Sequence, residues 1–392
     1  MTNADDPPFI VGTTSTALGM FGASPGSDWA SWEHSRRAAL SGDGAGGLTR
    51  YGEDAALLAE HGIGHHRVVI DWTTVAPRAG RLDAGALERE RERLQVLVDN
   101  GVRPWVALHH VALPGWFVDL GGFADDRARG THWPRFVDEV AQNLGDLVAG
   151  WFPILEPTGW AMAGHLHGRR PPGRTDPEAF AKTLRGVWLA WLDAWRQLRG
   201  GGAPVATAID LVPVRASDET IPAGKSARWL DRMIWQVAVS ALRDGIIEIP
   251  GLATIEVPEL RDSADLVGFT YAGAFTVAGD GSTTPYPAGA RQPWIDGFAD
   301  TLHRLAEELP GRPIIVASHG VGTDDDDHRC EVIRTTFDQL RAARHDGIDV
   351  RGYFHRCAID GYEPDTGVRL PWGVFDRDRD GRESAQVLAT AW

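Results

Sequence analysis

The sequence predicts a single (β/α)8 barrel, an α/β fold in which a closed parallel sheet is surrounded by helices. Short runs rich in β-branched residues alternate with longer amphipathic stretches along the 392 residues, which is the pattern of consecutive βα units. The chain contains about eight such units, the number that a barrel requires. Hydrophobic residues make up 43% of the chain, enough for one large core. Because the units leave no room for a second domain, residues 1–392 are expected to form one barrel.

The pattern places each element in order. The predicted strands are Phe9–Thr14, His66–Asp71, Arg103–His109, Gly150–Leu155, Pro204–Ile209, Asp265–Thr270, Pro313–Ser318 and Val350–His355. The predicted helices include Ala84–Val98, Trp133–Leu147, Glu178–Leu198, Ala227–Leu242, Trp294–Leu309 and Glu331–Arg344. Loops that follow strands form the active face of a barrel, and the longest irregular stretches here are Gly22–Thr49, Gly115–Thr131, Leu211–Lys225 and Ala272–Pro293. The acidic run Asp324–Asp327 is expected to cap a helix.

Composition excludes several classes of partner. A net charge of −15 opposes binding to nucleic acid, and no run of about 18 apolar residues is present to span a membrane. Met1–Pro8 does not have the pattern of a secretory signal, and Cys330 and Cys357 are too few for a disulfide framework, so we expect a cytoplasmic protein with reduced thiols. The 16 Trp residues are consistent either with sugar-stacking platforms or with core packing. Composition does not indicate an oligomeric state.

Several motifs occur in the order found in one enzyme family. They are Phe9–Thr14 (FIVGTT), Leu108–Pro114 (LHHVALP), Trp151–Pro157 (WFPILEP), Val267–Tyr271 (VGFTY) and Asp360–Glu363 (DGYE). Together they resemble the family 1 glycoside hydrolases of the β-glucosidase type, over nearly the whole chain. The resemblance implies a (β/α)8 barrel with a sugar pocket at the carboxyl ends of its strands, and no cofactor.

The resemblance ends at one of the two catalytic positions. Glu156 stands at the position of the family's acid/base, whereas Ser318 stands where the family has its nucleophilic Glu. Glycoside hydrolysis normally uses two carboxyl groups, and a neutral hydroxyl cannot stabilise an oxocarbenium-like charge as a carboxylate does. The ordinary retaining mechanism is therefore expected to fail.

Other differences from the family fall around the same subsite. Leu155 replaces an Asn that binds a sugar hydroxyl, Gly19 replaces a Gln, and Arg356 replaces a Trp. The resemblance retains three ligand-contacting residues, Arg67, His110 and Glu363. Tyr271 and His319, at the ends of two predicted strands, are also expected to contact the ligand.

The loss of the nucleophile leaves Arg67 without its implied partner. A buried guanidinium needs an anion, so Arg67 and Arg356 are expected to bind a carboxylate or phosphate of the ligand together. In the alternative interpretation Arg67 pairs with Asp71 or Glu363. A Ser318–His319 nucleophile is disfavoured, because adjacent strand residues point to opposite faces. A metal site is also disfavoured, because the candidate ligands lack a compact spacing; these are His109, His110, His319 and His355.

The sequence thus predicts an enzyme that hydrolyses an O-glycosyl bond, or carries out a related reaction, with Glu156 as general acid/base. Asp324, Asp325 and Glu363 are the sequence candidates for a base that holds a water. The expected ligand is a small glycoside or an anionic sugar-like molecule, with no metal. The alternative is a barrel that is inactive or repurposed to bind a small ligand, or a metal-dependent enzyme.

Overall fold

Eight parallel strands form the centre of the molecule. A computed structural model describes residues 8–288 and 292–392. Numbered along the chain, the strands are β1 (Ile10–Thr14), β2 (His65–Val69), β3 (Arg103–His109), β4 (Gly150–Ile154), β5 (Ile209–Asp210), β6 (Val267–Tyr271), β7 (Ile314–His319) and β8 (Val350–Arg356). Their order in the sheet is β4-β3-β2-β1-β8-β7-β6-β5. The predicted (β/α)8 architecture is confirmed.

The fifth strand is shorter than the sequence predicted. Regular pairing is confined to Ile209–Asp210, whereas the preceding part of the predicted strand Pro204–Ile209 makes isolated parallel bridges. One bridge joins Val205 to Trp151, and the Trp151 amide donates to the Pro204 carbonyl at 2.8 Å. These contacts connect β4 to the β5 segment and close the sheet into a barrel.

Helices surround the sheet at most of the predicted places. The longer ones are Gly47–Glu60, Ala84–Asp99, Asp126–Leu144, Pro177–Leu198, Ile221–Asp231, Val237–Asp244, Asp296–Glu308 and Asp326–His345. Shorter ones are Ala17–Phe21, Asp28–His34, Trp72–Val75, Gly115–Asp119, Pro157–Ala161 and Glu383–Ala389. The capping interpretation of the acidic run is confirmed, because the Asp325 side chain accepts the His328 amide at 3.0 Å.

Two helices differ from the prediction in where they begin or in whether they are continuous. The helix predicted from Trp133 begins at Asp126, because the Asp125 carboxylate caps it by accepting the Ala128 amide at 2.7 Å. Part of the stretch predicted as irregular, Gly115–Thr131, is therefore helical. The predicted helix Ala227–Leu242 is two α-helices separated by a π-helical turn, Arg232–Gln236.

The loops after β5 and β6 also contain regular structure. A three-stranded sheet forms from Val214–Ala216, Ala274–Val277 and Thr283–Tyr286, which lie in two of the stretches predicted as irregular. Residues 289–291 of the second stretch are outside the described residues. This small sheet extends the wall of the barrel mouth on the side of β5 and β6.

Side chains from alternate strand positions fill the barrel interior. Trp105, Phe152 and Phe354 form its centre, with ring centroids 5.3–5.7 Å apart. Several further Trp side chains are fully buried, so core packing accounts for much of the Trp content; these are Trp29, Trp133, Trp151 and Trp235. Among the described helices none is long and apolar enough to cross a lipid bilayer.

Candidate active site

Two connected cavities open at the carboxyl ends of the strands. The inner pocket encloses about 490 Å³, including space open to solvent, and is lined by residues that include Thr14, Arg67, Leu155, Ser318, Cys357 and Glu363. The outer cavity encloses about 1790 Å³ and is lined by residues that include Arg169, Asp210, Lys225, Trp229, Phe275 and Asp365. Four residues line both spaces and mark their junction: His110, Glu156, Thr270 and Arg356.

Glu156 lies at the junction because of its backbone. It follows β4 after one intervening residue, Leu155, and adopts left-handed dihedral angles, with φ of 51° and ψ of 53°. Its amide donates to the Ala208 carbonyl at 2.9 Å, which anchors the residue beside the β5 segment. This conformation costs a residue other than glycine about 1–3 kcal/mol, and such costs concentrate at functional sites. The geometry therefore supports a functional role for Glu156.

Basic side chains surround the Glu156 carboxylate. Its Oε2 lies 3.7 Å from His110 Nε2. Burial raises the pKa of Glu156, but His110, Arg356 and Arg170 outweigh burial and hold the pKa well below its usual range. A general acid must hold a proton at the working pH. The unliganded site favours the carboxylate, which is the form in which the general acid/base expected from the sequence acts as a base.

Ser318 and Arg67 occupy the floor of the inner pocket. Both are buried, with 5% and 3% of their surface exposed. Arg67 Nη1 donates to the Ala317 carbonyl at 2.6 Å, and Nε has no hydrogen-bond partner among the described residues. Burial and the Arg356 charge lower the pKa of Arg67 to about 9, although Glu156 raises it, so the guanidinium remains charged at neutral pH.

No described carboxylate forms an ion pair with Arg67. Asp71 instead accepts from the Ser24 hydroxyl and the Thr73 amide, and Glu363 pairs with Arg356. The alternative in which Arg67 pairs with Asp71 or Glu363 is therefore wrong. Arg67 feels the Glu156 charge without a direct ion pair, and a buried charge is stabilised by a closely paired opposite charge, so the inner pocket is suited to bind an anion.

Arg356 already has a carboxylate partner. Its guanidinium forms an ion pair with Glu363 and stacks 4.4 Å from the ring centroid of Trp372. Burial lowers the pKa of Arg356, but Glu363 and Glu156 outweigh it and raise the pKa above its usual range. Glu363 thus faces the inner pocket with its charge neutralised by a neighbour, which reduces its capacity to bind sugar hydroxyls.

Of the remaining residues that were predicted to contact the ligand, one lines a cavity and two do not. Leu155 lines the inner pocket. Tyr271 and His319 are not among the described residues that line either cavity. The Tyr271 hydroxyl donates to the Trp294 carbonyl at 2.5 Å, and the His319 ring stacks on Phe298, so both side chains point into the layer between sheet and helices. The structure does not bring these two residues to the ligand space.

Ser318 lines the inner pocket, whereas the His319 side chain points away from it and stacks on Phe298. The two side chains therefore lie on opposite faces of the strand, as the sequence argument against a Ser–His pair predicted. Among the described residues, no group of three or more His, Cys, Asp or Glu side chains is arranged to hold a metal ion. Two of the three sequence candidates for the base that holds a water are not among the described residues that line the cavities. Asp325 caps a helix, and neither it nor Asp324 is among the described residues that line a cavity.

Sequence analysis missed Asp210. This carboxyl lies in the outer cavity at the end of β5, where Oδ1 accepts the Thr158 amide at 3.1 Å and Oδ2 accepts the Gly159 amide at 2.6 Å. Burial and, after it, the Glu156 charge raise the pKa of Asp210 to about 7, against the opposing effect of the backbone amides. The available signal was its position directly after a predicted strand, where barrel enzymes place functional side chains.

Comparison with known proteins identifies the ancestry of this site. Residues 28–229 and 278–389, more than half of the chain, match the sequence model of Glycosyl hydrolase family 1. The chain belongs to glycosyl hydrolase family 1. Among its relatives, β-glucosidase A of Acetivibrio thermocellus is 24% identical over 363 residues, which cover 83% of this chain and 81% of that protein.

Two further matches give the extent of the similarity. Human lactase/phlorizin hydrolase is 24% identical over 82% of this chain, which spans only 20% of that longer protein. The β-glucosidase from Thermotoga maritima in complex with deoxynojirimycin superposes with a TM-score of 0.87 at 18% identity, covering 98% of each chain. At this identity the superposition establishes the shared fold, and function must be argued from the site itself.

Proposed function

We propose that this family 1 protein cleaves an O-glycosyl bond at the junction of the two cavities without a carboxylate nucleophile from β7. The supporting observation is the position of Glu156, whose strained backbone holds a carboxylate where the inner pocket meets the outer cavity. The sugar ring would occupy the inner pocket and the leaving group the outer cavity. Glu156 transfers protons there, and water or a substrate group replaces the missing nucleophile.

The ligand is an anionic glycoside. Arg67 supplies a buried guanidinium beside Ser318, in the space left by the smaller side chain. A carboxylate or phosphate on the sugar could accept hydrogen bonds from this guanidinium in a fork geometry. Arg356 contributes positive charge from the other side of the pocket, although its ion pair with Glu363 neutralises part of that charge.

The two cysteines are free thiols, which fits a reducing cytoplasm.

The test is a panel of aryl glycosides in matched neutral and anionic forms, for example glucosides, glucuronides and glucose 6-phosphate derivatives. Wild-type protein should cleave an anionic member with kcat/KM at least 10-fold above its neutral counterpart. Glu156→Gln should lower kcat by about 100-fold or more, because general acid/base catalysis contributes about 10²- to 10⁴-fold. Thermal unfolding of the variant checks that its fold is intact.

Ser318→Glu provides the matched control, because it restores a carboxylate beside Arg67. This change should abolish the preference for anionic glycosides, since the new side chain occupies the anion site. Activity that appears only in Ser318→Glu, with none in wild type, would contradict the proposal. Cleavage of neutral glycosides alone would contradict the anionic ligand.

A second function, binding without hydrolysis, is favoured by one observation. The Arg356–Glu363 ion pair removes a carboxylate that would otherwise be free to bind sugar hydroxyls. A repurposed barrel would bind an anionic ligand through Arg67 with no turnover. Calorimetric binding of a glucuronide or a sugar phosphate, without product after prolonged incubation, would select this alternative.

A further inference from the structure

Leu155 brings an apolar side chain to the part of the inner pocket that lies next to Glu156. It follows β4 directly and precedes Glu156 in the chain. Its side chain is buried and belongs to the same apolar cluster as Phe152 and Phe354, which fill the barrel interior. Leu155 nevertheless lines the inner pocket. The apolar interior of the barrel therefore extends to the surface that a ligand contacts.

The strands on either side of β4 supply no side chain that could replace a polar group at Leu155. On the β3 side, the inner pocket is lined by His110, whose Nε2 lies 3.7 Å from the Glu156 carboxylate. On the β5 side, no described residue of β5 or of the loop after it lines the inner pocket. The hydroxyl side chains of this pocket come from β1, β6 and β7 or from the residues directly after β1, and none of these strands is next to β4 in the barrel; they are Thr14, Ser15, Thr16, Thr270 and Ser318.

The sugar hydroxyl that meets Leu155 follows from the chain order. Consecutive Cα atoms are about 3.8 Å apart, so Leu155 contacts the sugar close to the bond on which Glu156 acts in the proposed function. One ring neighbour of the anomeric carbon is the ring oxygen, and the other is the carbon that carries the 2-hydroxyl in glucose. A hydroxyl that is buried against an apolar side chain loses its water without gaining a partner, which weakens binding.

The same sugar carbon affects the charge that develops during cleavage. The glycosidic bond breaks with its electron pair on the leaving oxygen, and positive charge develops at the anomeric carbon. A hydroxyl on the adjacent carbon withdraws electrons and destabilises this charge, whereas a methylene group does not. Ser318 provides no carboxylate to stabilise the charge, and Arg67 is a buried cation in the same pocket. A sugar that forms a more stable cation suits such a site.

We propose that the substrate is an anionic glycoside of a deoxy sugar, with a methylene group on the carbon next to the anomeric carbon, an inference that rests on the proposed glycoside cleavage. Leu155 determines this specificity by direct contact with the methylene group. Arg67 binds the anionic group, as proposed above. The apolar side chain at position 155 and the missing carboxylate at position 318 then match the same feature of one ligand.

The first test measures binding and requires no turnover. Calorimetry on the wild-type protein compares 2-deoxyglucose 6-phosphate with glucose 6-phosphate, and 2-deoxyglucose with glucose. In each pair that binds, the deoxy sugar should bind about 10-fold more tightly, because only the hydroxylated sugar places a hydroxyl against Leu155. Equal affinities within the pairs, tighter binding of the hydroxylated sugars, or no binding of any of the four would overturn the inference.

Leu155→Asn tests the role of this side chain. An amide at this position can hydrogen-bond the hydroxyl, so the preference for the deoxy sugar should disappear or reverse. Leu155→Met keeps an apolar side chain and should keep the preference. Cys357→Ser places a polar group elsewhere in the same pocket and should also keep it. Thermal unfolding checks that each variant is folded. An unchanged preference in Leu155→Asn, or its loss in Cys357→Ser as well, would overturn the assignment to Leu155.

The second test measures cleavage of phenyl 2-deoxyglucoside 6-phosphate and phenyl glucoside 6-phosphate. The ratio of their kcat/KM values is divided by the ratio of their rates of acid-catalysed hydrolysis in solution, which removes the greater intrinsic reactivity of the deoxy compound. For wild type this normalised ratio should be about 10 or more, and Leu155→Asn should lower it by about 10-fold.

The outcomes separate this inference from the proposed function. Cleavage with a normalised ratio of about 1 or less would support glycoside cleavage and overturn the preference for deoxy sugars. A protein that prefers the deoxy sugars in calorimetry but cleaves neither phenyl glycoside would overturn the proposed function, and would leave Leu155 as a determinant of binding alone.

Discussion

The inner pocket and the outer cavity divide the barrel mouth into two chemically different spaces. The inner pocket is small and contains two buried charged groups, Arg67, which lacks a carboxylate partner, and Glu363, which Arg356 neutralises. The outer cavity is much larger, and its wall includes exposed cations and the partly exposed ring of Trp229. A buried charge interacts strongly with a ligand because little solvent screens it, whereas an exposed charge contributes little. The inner pocket should therefore set ligand identity, and the outer cavity should tolerate variety.

The largest expected effect tests whether the anion binds in the inner pocket. Arg67→Met should weaken binding of an anionic sugar by about 100-fold, because truncation of a buried hydrogen-bonded charge partner costs about 2–5 kcal/mol. Calorimetry measures the affinity. The unliganded variant should unfold at the same or a higher temperature than wild type, since it no longer buries an unpaired charge. Arg169→Ala, in the outer cavity, is the control, and a greater loss of affinity in that variant would reverse the assignment of the two spaces.

A smaller effect tests whether the Arg356–Glu363 pair closes the inner pocket to neutral sugars. Arg356→Gln frees the Glu363 carboxylate, whose hydrogen bonds to hydroxyl groups are worth about 1.5 kcal/mol or more. Binding of glucose should strengthen by about 10-fold, as measured by calorimetry. The variant should also unfold at a lower temperature, because Glu363 becomes a buried charge without its partner. Unchanged glucose affinity would show that another feature excludes neutral sugars.

The smallest effect concerns the outer cavity. Trp229 is 37% exposed and can stack against an aromatic leaving group. Trp229→Ala should raise KM for aryl glycosides by about 5- to 10-fold, corresponding to about 1 kcal/mol, and leave KM for methyl glycosides unchanged. Steady-state kinetics with both substrates makes the comparison. An equal change for both would mean that the residue supports the junction instead of the leaving group.

The sequence by itself determined the fold and the altered catalytic position. Alternation of apolar runs and amphipathic stretches is set by local periodicity, so eight strands and most helices were predictable, and the motif around Trp151–Pro157 placed Glu156 at a strand end. The part of the helix Asp126–Leu144 that precedes Trp133 was missed, because the start of this helix depends on one capping side chain, Asp125. Residues such as Tyr271 and His319 were predicted at the ligand because their strand was correct, although the face to which each side chain points was not fixed by the motif.

Only the tertiary structure decided the state of the charges. Arg67, Arg356, Glu363, Glu156 and Asp210 come from four different strands or the loops that follow them, and no local pattern specifies which carboxylate meets which cation. Protonation of a buried group depends on desolvation and on neighbours brought together by closure of the barrel. The pairing of Arg356 with Glu363, the isolation of Arg67 and the proximity of Asp210 to Glu156 are therefore properties of the folded chain.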